Sequence, residues 1–154
     1  MQKSAFIFLI STASLLLAAC EQDELAEVSG PLYLQQIEIQ RASSFEGTVL
    51  PYSASEGPRL FLRFGPFQGA FPAYQSRRSP KVTELPIRWR FAGDSIQIIR
   101  EEEWFVALYE FNADLGEDLL FYQKLDVLQY SSPVSLTDTE GNFRIDIHYG
   151  PAED

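Results

Sequence analysis

The 154-residue chain has a single cysteine, a single histidine, a single methionine and two tryptophans. One thiol cannot close an intramolecular disulfide. One histidine excludes a histidine-rich zinc site, and a thiol triad is excluded where the one cysteine is not free. The histidine, His148, alternates with Ile147 and Tyr149 and shares its strand face with Asp146 and Arg144, the pattern of a solvent-facing position. No glycine-rich phosphate loop and no G-x-S-x-G elbow is present. Basic residues are also scarce, 12 Lys and Arg against 22 Asp and Glu, for a formal charge of −10. That balance argues against nucleic acid as a partner, because phosphate contacts need clustered cations.

What is present begins with a short basic start at Lys3 and an apolar stretch from Ala5 to Leu17, interrupted by Ser11, Thr12 and Ser14. A bilayer span needs about 20 apolar residues. This stretch is shorter and is followed at once by Glu21, Asp23 and Glu24, so residues 1–19 read as a signal peptide. Its end, Leu17-Ala18-Ala19-Cys20, resembles the lipobox of bacterial lipoproteins. The resemblance implies that the Cys20 thiol receives a diacylglycerol, that cleavage makes Cys20 the new N-terminus, and that this amine is acylated too, typically with palmitate. The alternative is an ordinary secretory signal that leaves Cys20 as a free thiol. Each buried methylene is worth about 0.8 kcal/mol, so two or three acyl chains hold a protein on its membrane. The expectation is a lipid-anchored protein of the bacterial cell envelope, most simply the outer membrane, with the membrane as its first partner.

Loss of residues 1–19 removes one basic residue and no acid, which makes the remainder one charge more negative than the whole chain. Residues 20–31 read as a lipidated acidic tether, with Glu21, Asp23, Glu24 and Glu27 before a Ser29-Gly30-Pro31 breaker. This acidic run also resembles the surface-export signal of Bacteroidetes lipoproteins; a solvated spacer has the same composition.

From Leu32 the period is two, with Ile37 and Ile39 alternating with Gln36, Glu38 and Gln40. Further strands are expected at Leu60 to Phe64, Ala73 to Ser76, Ile87 to Phe91, Ile96 to Ile99, Phe105 to Phe111, Leu125 to Tyr130 and Phe143 to Tyr149. Gly93-Asp94 and Gly141-Asn142 supply turns, and prolines at 58, 72, 80, 86 and 133 oppose helices. Leu115, Leu119, Tyr122 and Leu125 have a spacing that would also line one face of a short helix; context favours strand. The expected domain, residues 32–154, is an all-β antiparallel sandwich of about eight strands.

The segment from Trp104 to Leu120 resembles the penultimate strand and third loop of the calcium-dependent phospholipid-binding C2 domain. It has an alternating apolar strand, then Glu110, Asn112 and Asp118 at the offsets of that family's acids. Glu56 to Arg63 is similar to its first-loop exit, and Leu85 to Phe91 to its Pro-Trp strand, with the tryptophan one position late. The resemblance spans Leu32 to about Tyr130 and implies a C2-like sandwich and a calcium site formed by Glu110, Asn112, Asp114 and Asp118. The chain departs from the pattern in charge and length. Glu110 is one methylene longer than aspartate, Asn112 is neutral, and the first loop offers only Glu46 and Glu56, whereas calcium wants six to eight oxygens, mainly carboxylate. An ordinary acidic loop is the competing reading.

Arg77, Arg78 and Lys81, with Arg88 and Arg90 nearby in sequence, stand out in an acidic chain. If they share one face they would meet anionic lipid head groups or a partner, each at about 1 kcal/mol near an anionic surface; otherwise they keep sheet edges from pairing. Phe67 and Phe71 lie in a turn-rich segment, Gly65 to Pro72, and form a contact patch if exposed; packing back onto the sandwich is expected for at least one. Glu101, Glu102 and Glu103 read as a solvated turn before Trp104, and are also the most obvious carboxylates for a hydrolase. The leading functional expectation is a non-catalytic, membrane-tethered binding or assembly module with an envelope protein or lipid partner and no obligatory cofactor. A calcium-responsive phospholipid-binding domain and a carboxylate-based envelope hydrolase are the alternatives.

Overall fold

The structure is a computed structural model that describes residues 30–43, 58–126 and 132–152. Cys20, the signal peptide, residues 20–29 of the tether, Glu46, Glu56 and the stretch 127–130 of the expected Leu125 to Tyr130 strand lie outside the described residues.

The described chain is all-β, in two antiparallel sheets. In the first, β1 (Leu32–Arg41) is central, with β4 (Ile87–Arg90) and β5 (Gln97–Ile98) along one side. Along its other side runs β9 (Arg144–Gly150), which pairs in turn with β8 (Val134–Thr137). The second has the order β3 (Phe71–Gln75), β2 (Arg59–Gln68), β6 (Trp104–Asn112), β7 (Gly116–Leu125). The sandwich expected from the period-two pattern is observed, with nine strands among the described residues rather than about eight.

Alternation places one apolar set from each sheet in the shared core. Ile37 and Ile39 of β1, Ile145 and Ile147 of β9, Leu60, Leu62 and Phe64 of β2, and Trp104, Val106 and Leu108 of β6 are each almost fully buried there. Leu34 joins them despite the odd spacing to Ile37, because an irregularity in the β1–β9 register between Leu34 and Gln36 shifts the phase of the strand.

Two strands exceed the sequence expectation. β8 has the alternation Val134 in, Ser135 out, Leu136 in, but is only four residues long. β7 starts well before Leu125 because its face pattern changes midway. Leu108 pairs with Phe121 and Tyr109 with Leu119, so Leu120 is an extra residue, a β-bulge. The bulge puts Leu119 and Tyr122 on the same face, which gives a strand the spacing of a helix.

β2 continues past Phe64 to Gln68, so the turn is only Gly69-Ala70 rather than the whole Gly65 to Pro72 segment. Gly65, at φ +104°, sits at a break in the β2–β3 register. A Cβ there would stand 2.6 Å from a Tyr74 ring carbon, so glycine is required both for the backbone and for the ring. Beyond β3 the chain still lines the edge of β2. The Ser76 and Ser79 hydroxyls accept the Leu62 and Leu60 N–H groups at 2.9 and 2.8 Å, while their own N–H groups donate to the same residues' carbonyls.

Candidate functional site

The outer face of the second sheet carries side chains that a solvated face does not usually hold. Register sets them in rows: Arg59, Phe111 and Glu117; then Phe61, Tyr109 and Leu119; then Gln75, Arg63, Ala107 and Tyr122; then Phe105 and Lys124. Phe61 points away from the core, between the inward Leu60 and Leu62, yet is fully buried. Its cover is local: Tyr109 stacks on it at 5.1 Å between centroids, and the Arg63 and Arg78 guanidiniums lie 5.5 and 5.9 Å from its ring centre.

Arg63 organises the face. Its guanidinium carbon is 4.6 Å from the Phe71 ring centre and 4.7 Å from that of Tyr109; Nη2 donates to Glu117 at 2.8 Å and Nε to the Gln75 side-chain carbonyl at 3.2 Å. Arg78 lies 3.6 Å from the Phe111 ring centre and reaches the other Glu117 oxygen at 3.3 Å. One carboxylate thus holds two guanidiniums over a bed of rings, combining charge-assisted hydrogen bonds with cation–π contact. A second ring cluster adjoins it: Phe105 and Tyr122 are stacked at 5.5 Å, and Phe67 meets Phe105 edge-on at 4.7 Å. Phe67, Phe71, Leu119 and Tyr122 remain 44 to 53% exposed. Both phenylalanines of the expected patch are therefore exposed, and both rest on the outer face rather than on the end of the sandwich.

The five basic residues do not share a face. Arg78 belongs to the aromatic face, whereas Arg88 and Arg90 project from the outside of the first sheet, where they donate to Glu38 and to Gln36. The chain crosses from one sheet to the other between Ser79 and Ile87, so nearness in sequence becomes opposition in space. The Arg77 carbonyl accepts the Trp89 indole N–H at 2.9 Å, and Lys81 makes an isolated β-bridge with Arg59. The condition that Arg77, Arg78, Lys81, Arg88 and Arg90 share one face is therefore not met: Arg78 lies on the rings beside Arg63, and Arg88 and Arg90 lie on a separate polar face.

That polar face centres on Glu38 and Asp146, which are direct partners across β1 and β9 and only 6% exposed. Arg88 covers Glu38 at 2.7 Å; Ser135 donates to Asp146 at 2.6 Å and Arg144 at 3.3 Å. The hydrogen bond and charge of Glu38 raise the Arg88 pKa. His148 is half-buried beside them, its Nε2 3.8 Å from a Glu38 oxygen. Each carboxylate is engaged by a cation or hydroxyl on an outer sheet face. Glu103, of the turn before β6, pairs with Lys124.

Of the expected calcium ligands, Glu110 and Asp118 are brought opposite one another across β6 and β7. Asp114 is in the hairpin turn, and the Asn112 side-chain carbonyl is occupied by the Asp114 N–H at 2.9 Å. Among the described residues no group of three or more His, Cys, Asp or Glu is placed to hold a metal ion.

Comparison with protein-family models and with curated proteins finds no match.

Sequence reasoning missed Phe61, Arg63, Phe105, Tyr109, Glu117 and Tyr122 as one site. The available signal was the unbroken apolar run from Trp104 to Leu108: a strand apolar on both sides has both faces covered or in contact.

Proposed function

We propose that this chain is a non-catalytic lipoprotein of the bacterial cell envelope, held at the outer membrane by lipid on Cys20, whose sandwich domain binds a protein partner through the aromatic face of its second sheet. The observation that carries this reading is the exposed set Phe67, Phe71, Leu119 and Tyr122 around the Arg63–Glu117–Arg78 bridge. Aromatic rings and arginine are the side chains that protein interfaces enrich and that carry most of their binding energy. Contiguous apolar patches of this kind on a soluble domain mark contact sites. A protein partner is favoured over an anionic bilayer because the chain carries −10 overall and the two arginines are already shared with Glu117. Tethering supports the same reading, since a lipid anchor raises the local concentration of a weakly binding domain at its partner's membrane.

The test has two arms. Labelling with radioactive palmitate should mark the chain, and Cys20→Ala should lose both the label and membrane fractionation; an unlabelled wild-type chain contradicts the anchor. A photo-cross-linking residue at Phe71 should give a defined protein adduct in intact envelopes, weakened by Arg78→Glu, while the same residue at Thr137 should not. Equal adducts at both positions contradict the face.

A further inference from the structure

Among the described residues β7 is the last strand of its sheet, bonded on one side only, to β6. Among the described residues it is also the one long uncovered edge. The opposite edge of the same sheet is the five-residue β3 continued by the Ser76 to Val82 segment, and the outer strands of the first sheet, β4, β5 and β8, have four, two and four residues. A ten-residue edge presents a row of N–H and C=O groups whose natural partner is another strand.

The bulge at Leu120 determines which strand fits. Before it, Glu117 and Leu119 share the outer face with Phe111 and Tyr109; after it, Tyr122 and Lys124 share the outer face with Ala107 and Phe105. The outward positions therefore change from odd to even at the bulge. Suppose two copies of β7 pair antiparallel. Directly opposed residues lie on one face of a sheet, and a shift of one residue sends every side chain to the wrong face. Only the register symmetric about the Leu120–Phe121 bond keeps outward residues opposite outward residues along the whole strand.

That register has chemical sense. Glu117 falls opposite the second copy's Lys124 and Leu119 opposite its Tyr122 on the outer face, while Asp118 falls opposite Gln123 and Leu120 opposite Phe121 on the inner. The half-exposed Leu119 and Tyr122 would cover one another, and Lys124 would join its existing partner Glu103 to the Arg63–Glu117–Arg78 group. Beside the bulge opens a cavity of 340 Å³ lined by residues 120–123 of β7 and, from the first sheet and the turn after β8, by Thr137, Asp138, Thr139 and Phe143. In this register the second copy's Leu120 falls opposite Phe121, one of the residues that line it.

We propose that a second copy of this chain adds to β7 as an antiparallel strand, with the two-fold axis between Leu120 and Phe121, so that the two second sheets and their aromatic faces become continuous. This interface takes Leu119 and Tyr122 from the rim of the aromatic face, leaves Phe67 and Phe71 to the envelope partner, and does not depend on how the chain is anchored.

The test is sedimentation of the full chain, in detergent matched to solvent density, over a range of micromolar concentrations. A monomer should give way to a dimer of twice its mass as concentration rises. Leu119→Asp and Tyr122→Lys should each weaken association at least tenfold. The double variant sets the introduced carboxylate of one copy opposite the introduced ammonium of the other, twice by symmetry. It should recover most of the association and thereby show that the variants fold. Amides of β7 should also exchange more slowly with deuterium as wild-type concentration rises. A monomer throughout, a dimer indifferent to both single substitutions, or a double variant as weak as the single ones would overturn the proposal.

Discussion

Arg63 of β2 and Glu117 of β7 meet at 2.8 Å across β6, the strand between them. Their side chains are 17 and 30% exposed, a partly sheltered pair seated on Phe71 and Tyr109. Sheltered charge-assisted bonds are worth more than open surface pairs, and Glu117 makes two of them. Glu117→Gln should therefore cost about 1 kcal/mol of stability in urea unfolding, with part of the difference lost at high salt. An unchanged midpoint would show that the bridge does not hold the face together.

Phe61 and Phe71 lie on the same outer face but differ in cover, one fully buried and one 53% exposed. Phe61→Ala should destabilise by about 3 kcal/mol, as for a core aromatic, because it leaves a hole under Arg63, Arg78 and Tyr109. Phe71→Ser should stay within about 0.5 kcal/mol of wild type in the same measurement, apart from the loss of one Arg63 contact.

Gly65 combines φ +104° with a Tyr74 ring carbon 2.6 Å from where a Cβ would be. Gly65→Ala should cost about 1–3 kcal/mol by thermal or urea unfolding. Combining it with Tyr74→Ala should make the two losses less than additive, because the contact is then removed; simple additivity would mean that backbone strain alone is at work.

The Tyr149 phenol sits above its ordinary 10.0, chiefly through burial, with Arg100 opposing and Asp126 adding to the rise. The folded state thus holds this proton more tightly than the unfolded chain. Its contribution to stability is complete below the ordinary value and is lost as pH climbs through the raised folded one. The Lys124 pKa is also raised, first by its hydrogen bond to Glu103, and acts in the same direction. Tyr149→Phe should flatten the alkaline fall in urea midpoint; parallel curves for the two proteins would contradict the assignment.

The core was legible because Leu60-x-Leu62-x-Phe64 and Trp104-x-Val106-x-Leu108 carry the sheet period openly. β7 was half hidden, since the Leu120 bulge gives Leu119 and Tyr122 a helical spacing that no sheet register predicts without its partner strand. The aromatic face was hidden for a different reason. Phe61, Phe71, Tyr109, Arg78 and Glu117 come from separate segments, and only pairing brings them together. Glu38 and Asp146 alternate like solvent-facing residues, yet cross-strand cations and hydroxyls bury them. Periodicity reports which way a side chain points, and its neighbours decide what it meets.

The central claim is that the aromatic face of the second sheet is covered by a partner in the native envelope. Hydroxyl-radical footprinting of the chain in intact envelopes, compared with the purified chain, tests it most directly. Phe67 and Phe71 should lose most of their reactivity in the envelope while His148, on the opposite sheet, keeps its own. Equal reactivity of the two phenylalanines in both preparations would contradict the account.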